Sequence, residues 1–316
     1  MKKVSDELSK EDQILLTELT EHIDLYLSKE HEKAIEFGKN LLKRESIVKN
    51  PIVKVLVFHI LGANYRETGK LSLSLKYFKK AIRIVLKYPH ESFLMKLYYE
   101  IGLTYYKKGS LAKALSYFKK SLELSKKLGN KKNKKKVQAP LINNIATIYL
   151  ERMEFDEALK YYQKALKLAT DEENKATIYG NLAVLYNYKK NYQKAIECSL
   201  KAIKISEDNK NFLRAFIEKL NLGEIYRNIK DFKKAKTYLL EGLEGVKEMG
   251  DKYWEAVGYK YLGSLYMDEG NKELAKKYLS QAHEMAKSMG EKRLEFELLV
   301  DLEEVMANMN KDQVYH

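Results

Sequence analysis

With a single cysteine, Cys198, the sequence cannot form an intramolecular disulfide, which fits a reducing compartment. Proline is scarce: Pro51, Pro89 and Pro140 are the only three in 316 residues. So few breakers favour long helices. No apolar run approaches the roughly 18 residues of a membrane span, and the polar stretch Met1 to Lys10 holds no apolar signal segment. The expectation is a cytoplasmic protein without a membrane partner. Catalytic signatures are missing too. The six histidines, His22, His31, His59, His90, His283 and His316, form no H-E-x-x-H zinc pair, since His283-Glu284 is followed by Lys287. No glycine-rich phosphate loop or G-x-S-x-G elbow occurs. Cys198 has no evident base beside it. These absences argue against an enzyme, and neither a cofactor nor a metal site is expected.

What is present favours helix. Leu, Lys, Glu and Ala, all good helix formers, dominate a chain that is 45% hydrophobic, and tyrosine reaches 24 residues. The formal net charge is +14. This is compatible with a nucleic-acid or other acidic partner, or with a lysine-rich solvated surface.

One phrase recurs: an aliphatic residue, a small one, two more, then tyrosine. It appears as Leu61-Gly62 with Tyr65, Ile101-Gly102 with Tyr105, Ile145-Ala146 with Tyr149, Leu182-Ala183 with Tyr186, Leu222-Gly223 with Tyr226 and Leu262-Gly263 with Tyr266. A degenerate first copy sits at Glu21-His22 with Leu25. Twelve residues later comes a second small position: Ala34, Ser74, Ala114, Ala158, Ala195, Ala235 and Ala275. A third follows at Ala81, Ser121, Ala165, Ala202, Gly242 and Ala282, with large Phe78, Phe118, Tyr162, Leu239 and Leu279 between. Small residues let two antiparallel helices approach, and large ones three and four positions away fill the space. Turns such as Thr68-Gly69-Lys70, Lys108-Gly109-Ser110, Lys190-Asn191 and Glu269-Gly270-Asn271 separate the two helices. Each unit is a helical hairpin that needs a stacked neighbour to bury its face.

This pattern resembles the tetratricopeptide repeat. The resemblance implies an all-α, right-handed α-solenoid of about seven helical hairpins, at roughly 9–46, 50–88, 91–128, 138–170, 173–208, 211–248 and 251–288. An amphipathic capping helix is expected over 291–309. The repeats are long, near 40 residues against the usual 34, and in this they resemble the repeat domain of bacterial peptide-pheromone-sensing regulators of the Rap/PlcR/NprR type. The N-terminal effector domain of those regulators has no counterpart in the reading, since repeat one begins near Ser9. The lysine-rich stretch 129–137, LGNKKNKKKV from Leu128, is expected as a solvated loop and flexible joint, with Pro140 opening the next helix.

In the resembled family, the first helix of each hairpin lines a concave groove where peptides lie. The matching positions nominate Asn143, Asn144, Glu151, Asn181, Asn187, Asn221, Glu224, Arg227, Asn228 and Tyr261, with Lys96, Tyr99 and Glu100 toward the N-terminus. Asn144, Asn181 and Asn221 share one offset. An asparagine amide both donates and accepts, so it suits a peptide backbone. The chaperone-tail clamp of some relatives is not matched, because Glu100 stands where its central asparagine would be. The expected function is a regulatory or signalling adaptor holding a peptide or protein segment. A basic nucleic-acid-associated protein and an oligomeric scaffold are the alternatives. Homodimerisation through terminal repeats is a further option. The lysines read as spread over the convex face, which implies only weak, nonspecific nucleic-acid binding.

Overall fold

The computed structural model describes residues 10–44, 50–88 and 90–314. Ser9, the expected start of the first repeat, lies outside them. Fifteen helices occur among the described residues: α1 (Lys10–Leu27), α2 (His31–Leu41), α3 (Pro51–Glu67), α4 (Leu71–Lys87), α5 (Glu91–Lys107), α6 (Leu111–Ser125), α7 (Lys131–Glu151), α8 (Phe155–Leu168), α9 (Glu172–Tyr188), α10 (Tyr192–Asp208), α11 (Phe212–Asn228), α12 (Phe232–Glu248), α13 (Lys252–Asp268), α14 (Lys272–Met289) and α15 (Lys292–Val314). The chain is all-α, about seven hairpins and a terminal capping helix. It divides into two compact units, Met1–Ile148 and Tyr149–His316.

Side-chain caps start most of the later helices. Asn50 accepts from the Ile52 and Val53 amides ahead of Pro51, and Asp171, Asn191, Asn211, Asp231, Asp251 and Asn271 cap α9 to α14. The turn inside each hairpin needs one left-handed residue. Glycine supplies it at Gly69, Gly109 and Gly270, but Lys29, Met153, Lys190 and Lys230 hold the same place elsewhere. The asparagine expected to make the turn after Lys190 instead caps the next helix. A side chain in this conformation is strained, so Lys230→Gly is expected to stabilise the second unit by about 1 kcal/mol, measurable as a higher urea midpoint.

The repeat works by exchanging volume between paired helices. A Cβ built on Gly62 or Gly102 would lie 2.6 Å from Phe78 or 2.5 Å from Phe118; on Gly223 or Gly263 it would meet Leu239 or Leu279, each at 2.6 Å. The first copy reverses the arrangement. His22 fills the small position, fully buried, and faces Gly38, whose Cβ would lie 2.6 Å from the imidazole. The degenerate copy is therefore a complementary swap. Burial holds the His22 imidazole down at about 4, so it stays neutral.

The tyrosines also follow the repeat. Tyr65 stacks on Tyr77, Tyr105 on Tyr117, Tyr149 on Tyr161, Tyr226 on Tyr238 and Tyr266 on Tyr278, with centroids 5.2 to 5.5 Å apart. In repeat five the partner position is Cys198, packed with Tyr186 in the second unit's core. Burial pushes its thiol up, which disfavours the nucleophilic thiolate.

The expected loop at 129–137 is a correction: the chain is helical from Lys131. Asn130 caps it, its side chain accepting from the amides of Lys132 at 2.9 Å and Asn133 at 3.1 Å. Lysine tolerates helix well. Pro140 lies inside α7, next to the buried Ala139, and does not open the helix.

Candidate ligand-binding faces

In the first unit, the groove positions of α3, α5 and α7 are tied together. Arg66 on α3 pairs with Glu100 on α5, and its Nε also donates to Glu67 at 3.0 Å. His59 Nε2 lies 3.6 Å from the other Glu100 oxygen. Burial alone would raise the Glu100 carboxyl, but His59 and Arg66 outweigh it and hold it down at about 2. Beside this pair, Asn144 Nδ2 donates to the Tyr99 hydroxyl at 3.1 Å, leaving the amide oxygen of Asn144 as an acceptor. Lys96 is exposed on α5, whereas Asn143 is buried.

In the second unit, α9, α11 and α13 repeat the scheme. The Asn228 amide donates to Asn187 Oδ1 at 3.0 Å. Arg227 donates to both oxygens of Glu224, at 2.8 and 2.6 Å, and reaches across to Asp268 at 2.5 Å. Burial would lower the guanidinium, but these carboxylates raise it further, so Arg227 is a permanent cation. Tyr261 is half-buried; burial and then the Glu224 carboxylate raise its hydroxyl. Arg293, at the start of α15, bonds Glu151, at the end of α7, at 2.9 Å. This ion pair lies within the second unit, to which Glu151 belongs.

The asparagines of the shared offset fall in different units, Asn144 in the first and Asn181 and Asn221 in the second. All three are half-buried, not exposed. Asn221 Nδ2 donates to Glu218 Oε2 at 3.3 Å. Glu218 is a residue the repeat pattern does not reveal. It is 1% exposed and paired with Arg214 at 2.8 Å. Burial raises its carboxyl over the opposing effects of Arg214 and Asn221. It fits because Gly180 lies against it, where a Cβ would come within 2.1 Å of Glu218 Oε1. Gly180 is thus the legible trace of Glu218.

The arrangement offers amide, guanidinium, carboxylate and phenol groups on first-helix faces. Among the described residues, no group of three His, Cys, Asp or Glu could hold a metal ion. No helix among them is long and apolar enough to cross a membrane.

Two tetratricopeptide repeat family models match the chain, one at residues 52–127 and 137–208 and the other at 219–244 and 262–288. No curated protein matches the sequence. Among solved structures, the chain is similar in fold to a Rap protein complexed with Competence and Sporulation Factor, at 15% identity and a TM-score of 0.68, covering 98% of this chain and 90% of that one. It is also similar to the apo form of the quorum sensor NprR from B. thuringiensis, at 19% identity and a TM-score of 0.67, covering 96% and 91%. A tetratricopeptide repeat protein from Parabacteroides merdae is similar at 16% identity and a TM-score of 0.58, covering 91% and 99%.

Proposed function

Because the chain belongs to the tetratricopeptide repeat family, we propose that it is a non-catalytic regulatory or signalling adaptor that holds a peptide on its first-helix faces. Repeats of this family generally bind protein or peptide segments. The observation that carries the finer reading is the polar contact, within each unit, between successive first helices: Tyr99 with Asn144 in the first, and Asn187 with Asn228 and Arg227 with Asp268 in the second, where Glu224 on the same helix also holds Arg227. These bonds fix the rotamers of half-buried Tyr99, Asn144, Asn187, Glu224 and Arg227, with exposed Asn228 and Asp268 as partners, before any ligand arrives, which lowers the entropic cost of binding. Two structures of similar fold are a quorum sensor and a complex with Competence and Sporulation Factor, so a signalling ligand is the reading adopted.

The test is a peptide display screen against the intact chain, followed by the triple variant Asn144→Ala, Asn181→Ala, Asn221→Ala. Each amide contributes one or two hydrogen bonds, about 0.5–1.5 kcal/mol apiece. Affinity for a selected peptide is expected to fall by roughly two to three orders of magnitude, while the melting temperature stays within a few degrees. Full binding by the folded triple variant removes the asparagines from the mechanism. A large drop in melting temperature, with affinity falling only as the folded fraction falls, makes them structural.

A further inference from the structure

The net charge of +14 is not spread over the chain. Residues 1–148 hold 30 Lys and Arg against 15 Asp and Glu, and residues 149–316 hold 28 against 29. The first unit is therefore +15 and the second −1, which sum to the whole. Within the first unit the excess is narrower still. Helix α4 carries Lys76, Lys79, Lys80, Arg83 and Lys87 and no acidic residue; α6 carries Lys113, Lys119 and Lys120 against Glu123 alone. The start of α7 adds five lysines between Lys131 and Lys136. This corrects the expectation of an even lysine surface.

The cations of α4 lie on its outward side. Its buried residues are Ser74, Leu75, Phe78, Ala81 and Val85, and at 100° per residue Lys76, Lys79, Arg83 and Lys87 fall opposite them. All four are exposed. The corresponding helices of the second unit serve as an internal control. Helix α8 carries three lysines against two acids, α10 three against three, α12 four against three and α14 four against two. Every one of these helices carries acids among its lysines, so solvation alone does not account for α4, which has five cations and no acid.

We propose that the outward faces of α4 and α6 bind the phosphate backbone of duplex nucleic acid, without reading its bases. Three observations favour that polyanion. The face is almost all lysine, a residue depleted from protein–protein interfaces, so an acidic protein is a poorer match. Its aromatic rings are already engaged. Tyr77 stacks on Tyr65 and carries Lys80 over its face, and Tyr117 stacks on Tyr105 and carries Lys120. They are not platforms for unstacked bases. Arg83 is the one arginine among these cations, and arginine is the residue that forks onto base edges. What remains is point charge at one-turn spacing, suited to counterion release.

The experiment titrates the full chain against a labelled 20-base-pair duplex of arbitrary sequence at several salt concentrations. Two variants with equal charge change are compared: Lys76, Lys79, Arg83 and Lys87 to Gln, and Lys233, Lys247, Lys276 and Lys277 to Gln. The parent is expected to lose about 10³–10⁵-fold in affinity between 50 and 200 mM salt. The α4 variant should bind at least about 30-fold more weakly at 50 mM salt, with a log–log salt slope shallower by about 3 to 4. The second-unit variant should stay within about threefold of the parent. Equal losses in both variants would reduce the effect to net charge and overturn the assignment. Tighter binding of poly-glutamate or of vesicles rich in anionic lipid than of the duplex, at the same salt, would overturn it in favour of another partner. Circular dichroism on each variant confirms that the fold is kept.

Discussion

Gly223→Leu destabilises the second unit by about 3 kcal/mol. The position has no room, because a Cβ would sit 2.6 Å from Leu239 Cγ and 3.1 Å from the Ala235 carbonyl oxygen. Leu239 is fully buried and cannot swing out. The first repeat shows how the loss is recovered. There His22 takes the small position and Gly38 takes the large one. Adding Leu239→Gly to Gly223→Leu moves the same volume across the interface and leaves the number of helical glycines unchanged. The double variant is expected to return to within about 1–2 kcal/mol of the parent. Urea unfolding followed by circular dichroism measures both. An unchanged midpoint for the single variant would show that Gly223 is not a close-contact position. Failure of the second change to restore stability would show that volume exchange is not the rule of these hairpins.

Glu100→Ala costs the first unit about 3–5 kcal/mol, because it leaves the Arg66 guanidinium buried without its main counter-charge. The side chains of Arg66 and Glu100 are 11% and 12% exposed, so solvent screens them little. The same pair gives a pH dependence with a fixed sign. Glu100 moves from an ordinary 4.5 down to about 2 in the folded chain. Its contribution is complete above the unfolded value and fades as pH falls from about 5 toward 2. The gap in stability between the parent and Glu100→Gln should narrow over that window. A gap independent of pH would mean the pair is not held as an ion pair in the native state.

The fold was readable in the sequence because small and large residues recur at fixed offsets, and close helix packing tolerates few alternatives at Gly62, Gly102, Gly223 and Gly263. The reversed pair His22 and Gly38 escaped that reading, since the pattern tests each position alone while packing conserves only the sum. The run of lysines after Asn130 suggests a solvated loop by composition alone, whereas the capping asparagine decides for helix. The left-handed turn residues Met153, Lys190 and Lys230 were hidden for a different reason: the hairpin imposes the conformation, and no glycine announces it. The candidate site was legible as a set of positions and not as a set of bonds. Which groove residue meets which depends on the offset between neighbouring hairpins, and a single repeat does not encode it. Glu218 was invisible for the same reason, with only Gly180 across the interface to mark it. The charge asymmetry was fully present in the sequence and needed only to be counted by unit.

The central claim is that a peptide lies on the first-helix faces. Photo-crosslinking tests it most directly. A peptide selected from a display library, carrying a photoreactive group at each position in turn, is irradiated with the intact chain and the adducts are mapped by mass spectrometry. The account predicts adducts on first-helix faces, around Tyr99 and Asn144 in the first unit or around Asn187, Arg227 and Tyr261 in the second, and their loss in the triple asparagine variant. Adducts concentrated on the outward faces of α4, α6, α10 or α12, and unaffected by that variant, would contradict it.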